Sequence, residues 1–137
     1  MKKWLIVLFV AGLVISGATK AQAVSIPQGP ITFHWTDWEN RVTAVGDALS
    51  GIFRLDQILD GSSAVIWSTG AGEELTGTFG GLTVSTFGCE IAGSHIGFTG
   101  GNLKVYLDTT PDFVPTFPGS GVTDGTLWLD LNFVTGG

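Results

Sequence analysis

The feature that most constrains the fold is a period-two alternation of apolar and polar residues in short segments, each closed off by glycine. In TLWLDLNF, from Thr126, the residues Leu127, Leu129, Leu131 and Phe133 alternate with Trp128, Asp130 and Asn132. LKVYL repeats the pattern, with Leu103, Val105 and Leu107 against Lys104 and Tyr106. Successive strand side chains point to opposite faces, so each segment reads as a strand with one face to a core and one to solvent or a partner. ITFHWT, from Ile31, groups Ile31, Phe33 and Trp35 opposite Thr32, His34 and Thr36, and GIFRLDQIL, from Gly51, sets Phe53 and Leu55 against Arg54 and Asp56. SAVIWS, from Ser63, and RVTAV, from Arg41, are further candidate strands. ELTGTFGGLTVSTF reads as two strands meeting at a hairpin turn at Gly80-Gly81. The 21 glycines suit tight turns. Pro27 to Pro30, Thr69 to Gly72 and Pro111 to Gly121 read as loops. The expectation is an all-β domain of roughly six to nine short antiparallel strands, a jelly-roll-like β-sandwich or an open barrel.

The first 23 residues stand apart. Lys2 and Lys3 form a positive start, Trp4 to Ala18 an apolar stretch, and Ala21-Gln22-Ala23 a small-residue cleavage site. This is the composition of a helical signal peptide cut after Ala23, and the stretch is shorter than the roughly 20 residues that span a bilayer. Removing 23 of the 137 residues leaves Val24 to Gly137, 114 residues, one domain's worth. The expected product is secreted or held at the cell surface, with no membrane insertion of its own.

The mature part keeps Arg41, Arg54 and Lys104 against twelve carboxylates, a net charge of −9. Such a surface repels nucleic-acid backbones and anionic lipid and attracts cations, basic partners or neutral glycans. Cys89 is the one cysteine and cannot form an internal disulfide; it reads as a small buried hydrophobe or an intermolecular bridge.

Four segments, GDALSGIFRLDQI (Gly46 to Ile58), GEELTGTFGGLTV (Gly72 to Val84), IGFTGGNLKVYLDTTPDF (Ile96 to Phe113) and TDGTLWLDL (Thr123 to Leu131), together resemble exported bacterial proteins of the PEP-CTERM class. That resemblance implies a β-rich ectodomain of the cell envelope or extracellular matrix, with extracellular polysaccharide or other envelope proteins as partners and no known catalytic activity. The class ends in a Pro-Glu-Pro motif, an apolar helix and a basic cluster, whereas this sequence ends at Thr135-Gly136-Gly137. The two readings of that difference are a truncated sequence and an anchorless, freely secreted variant.

Searching for chemistry gives three candidates. Asp108 and Asp112 at a strand end, with Asp124 beyond the proline-rich loop, could supply oxygen ligands to calcium, though these residue types also serve turns. Trp38 and Trp128, with Asp130 nearby, could form a glycan-stacking platform, against the alternative that tryptophan fills gaps in a sandwich. Glu74 with Asp108 or Asp112 could act as a carboxylate pair in a hydrolase. The adjacent Glu73 and Glu74 should face opposite sides of a strand and read as solvated residues at its entrance. His34 and His95 lack zinc-ligand spacing, and no GxSxG elbow occurs. The favoured expectation is a non-catalytic envelope or matrix domain that needs no cofactor, with a carbohydrate-binding module and a hydrolase as alternatives.

Overall fold

The structure, a computed structural model, describes residues 28–70, 72–88 and 95–133, together with the backbone of Ile6–Leu8. The expected cleavage site at Ala21 and Ala23, and Cys89, lie outside the described residues. Among the described residues no helix is long and apolar enough to cross a membrane.

The all-β expectation holds. The elements are β1 (Ile6–Leu8), β2 (Ile31–Glu39), β3 (Ala48–Leu59), β4 (Val65–Ser68), β5 (Glu74–Phe87), β6 (Ile96–Thr99), β7 (Asn102–Asp108) and β8 (Thr126–Asn132). All pairings are antiparallel and build one sheet in the order β1-β2-β3-β5-β7-β8. β4 pairs with the end of β3, and β6 with the end of β5. The two layers expected of a sandwich are thus made by one sheet folding over itself, in a meander without jelly-roll crossovers among the described residues.

The roll is visible in what the inner face brings together. Phe33 and Trp35 of β2 and Leu129 and Leu131 of β8 line the same small cavity. In a flat sheet these strands, four steps apart, would be separated by about 19 Å. Ile31, Phe33, Phe53, Leu55, Ile58, Leu75, Leu103, Val105, Leu107 and Leu129 form the buried cluster, with Trp35, Ile66, Trp67, Phe79 and Trp128 packed against it. The cavity is about 10 Å³, room for about one water, so side chains fill the interior.

Two reciprocal glycine–phenylalanine pairs set the middle of the sheet. Gly51 of β3 lies opposite Phe79 of β5, and Phe53 opposite Gly77. A Cβ on Gly51 would collide with the Phe79 ring, and one on Gly77 with the Phe53 ring and the Lys104 carbonyl. Each ring therefore lies over the glycine across from it, with the two ring centroids 6.5 Å apart. Trp35 extends this aromatic row, 5.3 Å from Phe53.

Irregularities account for the departures from strict alternation. Gly80-Gly81 is not a hairpin turn: β5 runs through it as one 14-residue strand. The pair is a bulge, two residues opposite Ser50 alone, and Gly81 takes the positive φ of 67° that such a bulge asks of glycine. The partner of β5 changes at this point from β7 to β6. Asp56 is an extra residue against β2, which lets both Leu55 and Ile58 face the core. Trp128 is an extra residue against β7, so Leu127 pairs with the outward Tyr106 and is 49% exposed instead of facing the core. RVTAV is a loop and not a strand. The Asp47 carboxylate gathers it, accepting the amides of Thr43 (2.7 Å) and Ala44 (3.0 Å) and the Thr43 hydroxyl (3.1 Å). Asp60 does the same in the β3–β4 turn, accepting the amides of Ser62 and Ala64 and the Ser62 hydroxyl.

Replacing Gly77 by Ala, which forces Phe53 off its position, should cost roughly 2–3 kcal/mol in urea unfolding. Gly80→Ala, whose Cβ would meet only Ser50 at an ordinary 3.6 Å, should cost under about 1 kcal/mol. The Thr43 amide, then the Ala44 amide and the Thr43 hydroxyl, hold the Asp47 carboxyl below the usual range. The Ser62 hydroxyl, then the Ala64 and Ser62 amides, do so for Asp60. A folded-state pKa below the unfolded value gives stability that is complete above about pH 4 and is lost as pH falls through the folded values. Urea unfolding from pH 6 to pH 2 should therefore show a shallower acid decline in Asp47→Asn/Asp60→Asn than in the unsubstituted chain.

Candidate functional site

The outer face of the sheet is covered at one end by the connection between β7 and β8, residues 109–125. Its packing starts from alternation in β5: with Leu75 and Gly77 on the inner face, Glu74 and Thr76 fall on the outer one. Both are nonetheless buried, Glu74 to 5% exposure and Thr76 to 1%. Glu74 Oε1 accepts the backbone amides of Asp112 (2.9 Å) and Phe113 (3.0 Å), and the Thr76 hydroxyl donates to the Val122 carbonyl (2.9 Å). Val122 is itself buried. Phe113 packs on Trp38 with ring centroids 5.3 Å apart, and Gly119 lies against the Ile52 side chain. The connection is thus strapped down by two polar ties and a small apolar layer.

At the first tie, three carboxylates converge. Glu74 and Asp108 are directly opposite in the β5–β7 register, and Asp112 arrives with the strap. Each can present an oxygen within 4.8 Å of the other two. Asp108 also accepts the Thr110 amide at 2.7 Å, shaping the exit from β7. Asp112 is exposed. The sequence therefore placed two of the three cation candidates together, Asp108 and Asp112. The third, Asp124, is exposed and outside the group, and Glu74 stands in its place. Oxygen donors of this kind suit a hard cation such as calcium, which takes six to eight.

Glu74 corrects the reading of Glu73-Glu74 as a solvated entrance. Its burial comes from a loop that starts 35 residues later, which no local pattern reveals. The hydrolase candidates, Glu74 with Asp108 or Asp112, can present oxygens within 4.8 Å of one another. The buried partner already spends an oxygen on two amides, and the apolar cavity lies on the opposite face of the sheet.

The glycan candidates are scattered. Trp38 is half-buried against Phe113, and Trp128 is half-buried on the core cluster. Asp130 is exposed and paired with Lys104 at 2.9 Å, and this pairing raises the lysine pKa above its ordinary value. His34 is half-buried and His95 exposed. No protein-family model matches the chain, and neither does any curated protein or solved structure.

Removing the Glu74 acceptor orphans two amides. Glu74→Ala should therefore destabilise the chain by roughly 2–4 kcal/mol in urea unfolding, while Glu74→Gln, which retains an acceptor oxygen, should lose about half as much.

Proposed function

We propose that this chain is an exported, non-catalytic β-domain of a bacterial envelope or extracellular matrix. The observation that carries the reading is the state of Glu74. The carboxylate best placed for acid–base work is consumed in holding the fold, buried and occupied by the Asp112 and Phe113 amides. Glycosidic chemistry asks for two carboxyl groups flanking a cleft that admits a sugar ring. Here Glu74 is covered by the strap that it secures, while Asp112 is exposed. The leader-like first 23 residues, the net charge of −9 over the remaining chain and the resemblance to PEP-CTERM-class ectodomains support export and an extracellular setting.

The tryptophans support the same reading over a carbohydrate-binding module. A stacking platform needs an indole face free to meet a sugar ring, whereas Trp38 is engaged by Phe113 and Trp128 lies on the core cluster. Extracellular polysaccharide or other envelope proteins remain the partners this reading implies. It requires no cofactor, and calcium would enter only as a structural addition at Glu74, Asp108 and Asp112.

The test is a panel of glycan and ester substrates offered to the purified chain lacking residues 1–23. Hydrolysis should not rise above the buffer background. Turnover that disappears in Asp112→Asn, an exposed substitution that leaves the strap amides in place, would establish the hydrolase instead. Saturable quenching of tryptophan emission by a soluble polysaccharide would favour the binding module.

A further inference from the structure

The roll of the sheet leaves two ends. No pairing joins β2 to β8 among the described residues, so β8 is an edge strand and β2 is one wherever β1 does not cover it, each with a row of main-chain N–H and C=O groups able to accept another strand. Proteins usually defend such edges with proline, lysine, inward charge or a bulge, and the extra Trp128 is the one such device on β8 among the described residues. β8, TLWLDLN, has neither proline nor lysine and carries one charge, Asp130, already paired with Lys104; Leu127 is 49% exposed. In β2, ITFHWTDWE, the acidic residues are confined to the far end, leaving Ile31 to Thr36 undefended.

One of these edges already takes a strand. Ile6–Leu8 adds to β2 in antiparallel register, Ile6 opposite Phe33, Val7 opposite Thr32 and Leu8 opposite Ile31. These residues belong to the segment read as a leader. Its removal strips the edge of its partner while the rest of the sheet, from β2 to β8, keeps its pairings.

We propose that, in the leaderless chain, the β2 edge at Ile31–Phe33 pairs with the β8 edge of a second copy, so that copies join head to tail. The inference rests on the export reading above. A second copy fits because each chain carries one edge of each kind at opposite ends of the same sheet, and main-chain pairing needs no further recognition chemistry. A contact between two different edges leaves one free edge at each end of a pair, so copies can add further, into a ring where the rotation closes and an open chain where it does not. The charge of −9 per copy opposes association, so the contact should strengthen with salt as repulsion is screened.

Two substitutions outside the buried cluster test it: Thr32→Lys, half-buried on β2, and Leu127→Lys, exposed on β8. In sedimentation at about 0.15 M salt the leaderless chain should form species larger than a dimer, growing with concentration. Each variant alone should associate about tenfold more weakly. Mixed one to one, the variants retain one good edge apiece, β8 on the first and β2 on the second, and should form a dimer and stop. Thermal unfolding of each variant, expected to match the unsubstituted chain, guards against a folding defect. A leaderless chain that stays monomeric at every concentration and salt overturns the edge pairing, as does growth that both lysines leave untouched. The intact mass of the natively produced protein reads the export step separately: retention of residues 1–23 would overturn that reading and leave the β2 edge capped.

Discussion

A single carboxylate buried under a loop decides what the outer face of this protein looks like. Glu74 is 5% exposed, and its Oε1 accepts two consecutive main-chain amides from the strap at Asp112 and Phe113. A buried carboxylate is costly unless its lone pairs are used, and main-chain amides are costly to bury unless accepted. Each meets the other's need. Once the tie is in place, Phe113 reaches Trp38, Gly119 reaches Ile52 and the Val122 carbonyl reaches Thr76, so an irregular proline-rich segment behaves as a second layer.

The inner face follows a different logic. There the constraint is space between adjacent strands, met by alternating glycine and phenylalanine across β3 and β5. A ring over a glycine covers bare backbone, and the cavity lined by Phe33, Phe53, Val105 and Leu129 among the described residues is about 10 Å³. Among the described residues β2 and β8 are not paired, so the roll stops short of a closed barrel.

Much of the inner face could be read from the sequence. Ile31, Phe33, Phe53, Leu103, Val105, Leu107 and Leu129 are core residues where period two put them. What escaped were single-residue insertions. Trp128, Asp56 and the Gly80-Gly81 pair each shift the register by one, and a bulge is decided by the opposite strand, which the local pattern does not contain. Leu127 was thereby turned outward, and a hairpin expected at Gly80-Gly81 became one long strand. The site was half legible for a related reason. Asp108 and Asp112 are near neighbours in sequence, but Glu74 joins them through a cross-strand pairing and a returning loop, both long-range.

The central claim is that Glu74 serves as a structural clamp. Amide hydrogen exchange measured residue by residue tests it most directly, because protection reports how often a hydrogen bond opens. The amides of Asp112 and Phe113 should exchange slowly, within about tenfold of Val105 in the centre of β7. Exchange at the rate of an unprotected loop would show that the strap lifts freely, and would return Glu74 to the carboxylates available for chemistry.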